Sequence, residues 1–239
     1  GPNDPHTAQT LNNLAGLYYS MGNYVDAEPI LERALNIREE QLGRNHPDTG
    51  ESLNNLALLY VSMGNYAEAE PLFEHAHKIR EEQLGPKHPS TATSLNNLAL
   101  LYRKMGNYAE AEPLYERALE IREEQLGPKH PQTAISLGNL ATLYHTMGNY
   151  AEAEPLFKRA LNIHEEQLGP NHPHTATSLS NLASLYKDMG IYADSEPLFK
   201  RALEIYEQQL GPTHPATATG LGNLARLYHT MGNYAEAEP

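Results

Sequence analysis

An all-α solenoid is the fold class that this sequence predicts, and three observations predict it. The first is a period. "MGNYAEAEP" stands at 63–71, 105–113, 147–155 and 231–239, with variants at 21–29 and 189–197, and every spacing is 42 residues or a multiple of it. A fixed period in this range marks a stacked-repeat architecture. The second is helical periodicity: in "SLNNLALLY" at 52–60, Leu53, Leu56, Ala57 and Tyr60 fall at i, i+3, i+4 and i+7, one apolar helix face. The third is punctuation, with Gly and Pro recurring where one helix must end and the next begin.

The units run 4–45, 46–87, 88–129, 130–171 and 172–213, with a partial sixth at 214–239. They read as one elongated domain over 4–239, and residues 1–3 read as a tag-cleavage remnant. The unit 88–129 shows how each element arises. His88-Pro89 opens the first helix, since proline suits the first helical position and pushes the preceding residue out of the helix. Thr91 to Met105 carries Leu95, Leu98, Ala99 and Tyr102 on one face, and Gly106 supplies a left-handed cap. Asn107 is placed to cap the second helix, with Glu110 three residues on, a variant of the capping box. That helix runs to about Leu126 and ends at Gly127-Pro128. Pro113 inside it removes one backbone hydrogen bond, so a kink or loosened turn is expected there in every unit. Leu98, Ala99 and Tyr102 are expected to face Tyr108, Ala111, Ala118 and Ile121. One hairpin cannot bury both its faces, so neighbouring units stack into a continuous core.

Composition narrows the function classes. The formal charge is −13 and there is no cysteine. A nucleic-acid binder needs a basic footprint, so neither nucleic acid nor an anionic membrane surface is expected as a partner. Thiolate chemistry and disulfides are excluded, and no apolar run approaches the roughly 18 residues that span a membrane. A soluble, cytoplasmic protein is the expectation. The histidines of the inter-unit turns lie one repeat apart, too far to share an ion. His75/His77 and His172/His174 are i, i+2 pairs, expected to point apart. The pairs Glu39-Glu40, Glu81-Glu82, Glu123-Glu124 and Glu165-Glu166 recur near Arg38, Arg80 and Arg122, as a solvated helix face would. No metal, no cofactor and no catalytic constellation is expected.

"LNNLA", "YAEAEPL", "RALEI" and "LGPKHP" together resemble the tetratricopeptide repeat, in the longer 42-residue form of the kinesin light chain and its prokaryotic relatives. The resemblance covers the chain from about Asp4 onward. It implies a right-handed superhelix whose first helices line a concave groove, and a peptide-binding scaffold rather than an enzyme. It also implies that the second Asn of the pair (Asn13, Asn55, Asn97, Asn139, Asn181 and Asn223) contacts the main chain of an extended peptide. A carboxamide offers both donor and acceptor. The same occurrence fits an Asn that bonds to the neighbouring repeat and fixes the stack.

Positions that vary between units carry specificity. Three residues after that Asn stand Gly16, Leu58, Leu100, Thr142, Ser184 and Arg226; six after it, Tyr19, Val61, Arg103, His145, Lys187 and His229; seven after it, Ser20, Ser62, Lys104, Thr146, Asp188 and Thr230. The groove is thus expected to be apolar through Tyr19, Leu58, Val61 and Leu100, then polar and basic through Arg103, Lys104, His145, Lys187, Arg226 and His229. A basic groove on an acidic chain selects acidic segments. Light-chain relatives bind peptides with an aromatic anchor followed by acids, and this layout suits a similar partner. A second reading comes from the ends. No polar cap is evident at either terminus, so copies are also candidates for head-to-tail stacking into a homo-oligomer.

Overall fold

The computed structural model describes residues 1–234, and each repeat in it after the first begins with a histidine holding a helix end. His46, His88, His130, His172 and His214 occupy N-caps, and the Nδ1 of each accepts the amide of the residue two positions on, at 3.1–3.2 Å. Asp4 does the same for the first helix, from the His6 amide at 2.9 Å. The histidine is therefore a capping acceptor, a role that the His-Pro sequence alone did not reveal. Three residues after each cap a threonine closes the turn: Thr7, Thr49, Thr91, Thr133, Thr175 and Thr217 donate Oγ1–H to the carbonyls of Gly1, Gly43, Gly85, Gly127, Gly169 and Gly211 at 2.8–2.9 Å. Gly43 sits at φ 93°, ψ 160°, a region only glycine occupies without strain.

The helices gather in two compact units, 1–121 and 122–239. The first holds α1 (Pro5–Ser20), α2 (Tyr24–Leu42), α3 (Pro47–Met63), α4 (Tyr66–Leu84), α5 (Pro89–Met105) and most of α6 (Tyr108–Leu126). The second holds the end of α6 and then α7 (Pro131–Thr146), α8 (Tyr150–Leu168), α9 (Pro173–Asp188), α10 (Tyr192–Leu210) and α11 (Pro215–Met231). Among the described residues every element is a helix, and within the units α2 packs on α3, α4 on α5, α8 on α9 and α10 on α11.

Glycine ends the first helices as expected, with Gly64 and Gly106 left-handed at φ 83° and 82°. One local expectation is corrected. Asn23, Asn65 and Asn149 stand at N-caps without a side-chain capping bond. The Asn23 carboxamide instead donates to Asp26 at 2.7 Å, so the acid takes the side chain that would have capped. The second helices continue past Pro29, Pro71, Pro113, Pro155 and Pro197, so the lost bond does not divide them. The carbonyl that loses its partner belongs to the residue four back, which is exposed in every repeat, so water satisfies it.

The core is shared between repeats. Leu98 and Leu101 pack with Ala57, Val61, Ala69 and Phe73 of the preceding repeat. It is Ala92 and Leu95, one to two turns earlier, that meet Ala118 and Ile121. The expected pairing of Leu98 with α6 is thus displaced, because an antiparallel hairpin sets the start of its first helix against the end of its second.

A second inter-repeat device is polar. Arg38, only 2% exposed, donates from Nη1 to the Asp48 carbonyl at 2.7 Å, Glu51 at 2.9 Å and Ser52 Oγ at 3.0 Å. Its Nη2 reaches Gln9 Oε1 at 2.6 Å. Arg122 repeats the pattern toward the Gln132 carbonyl and Ser136 Oγ, both at 3.0 Å. These arginines are buried, while the paired glutamates beside them are half-buried or exposed, on the solvated side of the helix. His164 holds the same place in its repeat, with Nδ1 2.8 Å from Ser178 Oγ. Tyr206 follows, and there the facing serine becomes Gly220, whose Cβ would lie 3.4 Å from the Tyr206 ring. A tyrosine–glutamate pair adds a third link: Tyr186 and Tyr228 donate to Glu154 and Glu196 of the preceding repeat at 3.1 and 3.0 Å. Tyr60 is pushed up to about 12 by burial and then by Glu28, its partner in the same register.

His164 carries a pH prediction. Burial pushes its imidazole below the ordinary 6.5, and His174 and His172 push the same way. The unfolded chain then binds the proton more readily than the folded one, so this contribution is intact above pH 6.5 and is lost as pH falls from there through the depressed folded value. His164→Arg, the residue of positions 38, 80 and 122, is expected to flatten the fall in melting temperature between pH 7.5 and 4.5. An unchanged slope would refute the assignment.

Candidate functional site

The first-helix faces carry the residues singled out for binding, and the structure links them by a diagonal rule. A residue on one first helix bonds to the residue 43 positions later, on the next. The Tyr19 hydroxyl lies 2.7 Å from Ser62 Oγ. Asn97 donates Nδ2–H to Asn54 Oδ1 at 2.7 Å. His145 Nε2 lies 2.8 Å from Asp188 Oδ2. The shift of one residue beyond the 42-residue period reflects the offset between successive stacked helices.

Of the two asparagines, the first is the buried one: Asn12, Asn54 and Asn96 are enclosed. Asn12 donates to Ser52 Oγ at 3.1 Å, and Asn54 Oδ1 accepts from Arg80 at 3.3 Å as well as from Asn97. The second asparagine faces outward. Asn55, Asn97, Asn139, Asn181 and Asn223 are half-buried and Asn13 is exposed, accepting from Gln9 at 3.2 Å. In this part of the first unit, then, Asn97 spends one amide hydrogen on the neighbouring repeat.

The column of Tyr19, Val61, Arg103 and His145 leans on the second helix of its own repeat, twelve residues on. Val61 is 9% exposed and packs in the same cluster as Phe73. That corrects its place in the groove: a short branched side chain here is absorbed by the core. Arg103 is long enough to emerge, and it hydrogen-bonds Tyr115, whose hydroxyl appears in this column only where the arginine does. The His145 ring meets Phe157 edge-on, centroids 6.4 Å apart. Leu58 and Leu100 are half-buried, and Lys104 is exposed.

Charge is distributed unequally. In the second unit Asp188 engages both His145 and Lys187, the latter at 3.1 Å, so those two bases already have an internal carboxylate. Arg226 and His229 are exposed, and His229 lies edge-on to Tyr234 at 5.4 Å. In the first unit Arg103 and Lys104 have no carboxylate partner within ion-pair distance among the described residues. The first unit also contains a hollow of about 190 Å³ walled by Ala15, Tyr19, Leu31 and Leu58, with Asn12 and Asn55 at its polar edge. Leu31 was not singled out from the sequence, and Gly16 stood in a variable column without being taken as a binding residue. The signal was available: both are the smallest members of their columns.

No group of metal-binding side chains occurs among the described residues, and no helix among them is long and apolar enough to cross a membrane. One local expectation about histidines fails. The rings of His172 and His174 stack with centroids 5.2 Å apart, because His172 is the cap and lies outside the helix that would have turned them away from each other.

The profile of the tetratricopeptide repeat matches residues 6–82, 53–124, 90–166, 139–192 and 175–239. No curated protein matches the sequence. Among solved structures, a Podosopora anserina protein of kinesin light chain type with nearly identical TPR-like repeats is 28% identical, with 86% of this chain and 97% of that chain covered and a TM-score of 0.67. BtubC (BKLC) from P. vanneervenii is 24% identical over 90% of this chain and 85% of its own, with a TM-score of 0.69. A Rap protein complexed with competence and sporulation factor shares the fold at 16% identity, 97% and 72% coverage and a TM-score of 0.73. With profile matches running from residue 6 to residue 239, the chain belongs to the tetratricopeptide repeat family, whose members act as protein-interaction scaffolds.

Proposed function

We propose that the repeats of 4–239 act as one domain that binds an extended, acidic peptide segment of a protein partner along its first-helix faces. The observation that carries this is the pair Arg103 and Lys104, basic and without an acid partner on an otherwise acidic chain, in the unit whose neighbouring positions are apolar. A locally basic strip on a protein of charge −13 draws acidic ligands and repels the rest. Asp188 marks where acid reading ends, since its carboxylate already satisfies His145 and Lys187. The test is fluorescence anisotropy with a labelled glutamate-rich peptide at low and high salt. Binding that weakens with salt, and that falls at least tenfold in an Arg103→Glu, Lys104→Glu variant, is expected. No binding, or binding indifferent to the variant, would overturn the proposal.

A second reading, self-association, draws on the exposed face of α1. Leu14 and Leu17 are 40% and 57% exposed, whereas Leu56 and Leu59, their counterparts one repeat on, are at 4% and 0% beneath Ala27 and Leu31. A face that other repeats cover is a candidate contact between copies. Light scattering across protein concentration separates the two readings: a constant monomer mass removes this one.

A further inference from the structure

Histidine is an unusual choice for a helix cap. Serine, threonine, aspartate and asparagine lead at that position, and none of them changes charge between pH 5 and 8. In this chain five first helices, α3, α5, α7, α9 and α11, are capped by His46, His88, His130, His172 and His214. In each the bonding atom is Nδ1, which accepts a backbone N–H at 3.1–3.2 Å. Nδ1 therefore holds the lone pair and Nε2 carries the ring proton. A proton added to such a ring goes to Nδ1. It removes the acceptor, and it sets a cation at the helix end where the macrodipole favours an anion. The five rings are half-buried or exposed, so solvent protons reach them.

The first repeat is the internal contrast. Asp4 caps α1 through the His6 amide at 2.9 Å, and that bond, then the His6 side chain, holds its carboxyl below the ordinary 3.8. The His6 ring lies 2.9 Å from Asp4 Oδ1, so a proton on His6 adds an ion pair to this cap instead of removing it. We propose that the five histidines are acid-sensitive joints: acidification releases the starts of α3, α5, α7, α9 and α11 and leaves α1 capped. The threonine hydroxyls bonded to Gly43, Gly85, Gly127, Gly169 and Gly211 do not titrate, so each turn stays tied while the first helical turn behind it frays. The sign follows from proton counting. A lone pair held in a cap takes up fewer protons than a free imidazole, so the caps are complete above roughly pH 6.5 and are lost as pH falls from there. In a stacked array such local terms add.

The joints differ in what faces the ring. Asp48 Oδ2 lies 3.8 Å from His46 Nδ1, so a protonated His46 keeps an ion-pair partner while it loses the amide. His172 stacks on His174 at 5.2 Å, and His174 on His164 of α8 at 5.7 Å, so a charge on one of these rings opposes a charge on the next. His88, His130 and His214 have no charged side chain within ion-pair distance among the described residues.

The test replaces all five caps with asparagine, which accepts the same amide and does not titrate. His164 is untouched, so its own contribution cancels in the comparison. The fall in melting temperature between pH 7.5 and 5.0 is expected to be smaller in the variant than in the wild type by about 5 °C or more, the scale of one or two caps in a chain of this size. Amide exchange on the full-length protein gives the local reading. The amides of Asp48, Ser90, Gln132, His174 and Ala216 are expected to lose at least tenfold in protection over the same interval, after correction for intrinsic rates, while the His6 amide keeps its own. A single His88→Asn variant should retain protection at Ser90 alone among the five, which keeps the test decisive if the fivefold variant does not fold. Equal falls in melting temperature, capped amides still protected at pH 5.0, or a Ser90 amide that loses protection in His88→Asn as it does in the wild type would each overturn the proposal.

Discussion

Replacing Arg38 with alanine is expected to destabilise the first unit by about 3 kcal/mol, the scale for removing one partner from a buried charged network. The guanidinium is the common donor to Glu51, Ser52 and the Asp48 carbonyl, and it joins these to Gln9 of the repeat before. Its loss leaves Ser52 Oγ with Asn12 as its remaining donor and takes this donor from the Asp48 carbonyl. Glu51 is partly exposed and regains water, which holds the cost near the lower end of the range. Arg38→His installs the residue found at position 164, where a single imidazole nitrogen serves Ser178. That variant is expected to recover part of the loss. Urea unfolding of the three proteins tests the ordering wild type, histidine, alanine. An alanine variant as stable as the wild type would show that the network is dispensable.

Phe157→Ala is expected to cost about 3–5 kcal/mol in the second unit, the range for deleting a buried aromatic side chain. Phe157 lies in the cluster of Ala141, Ala153, Leu182 and Leu185 that joins the two complete hairpins of that unit. It also supports the edge of His145, and so the geometry of the His145–Asp188 pair. Hydrogen exchange should therefore show α7, α8 and α9 losing protection together, with a smaller change in α11. A loss confined to α8 would mean that the cluster does not couple the repeats.

The period and the punctuation made the fold legible. Forty-two residues, an apolar stripe and glycines at fixed places leave little but stacked hairpins. What sequence reading missed has a common cause, which is that roles depend on the neighbouring repeat. Arg38 and Arg122 sit beside paired glutamates and read as surface, yet the serine that receives them lies fourteen residues on, in the next helix. Val61 was legible as apolar but not as core, since the same column holds arginine and histidine elsewhere. The hollow needed two small residues fifteen positions apart to be read together.

The diagonal pairing has a consequence for how such a chain can be rearranged. Near-identical segments invite recombination, and a 42-residue cassette could in principle be cut out and reinserted anywhere. Yet Tyr19 finds its hydroxyl partner, Asn54 its donor and His145 its carboxylate in the segment that follows. Insert 88–129 after 130–171 and His145 faces Lys104 where Asp188 had been. Each segment is thus written partly in the text of its successor, so order carries information that copy number does not, and shuffled arrays would differ in their surfaces even at identical composition.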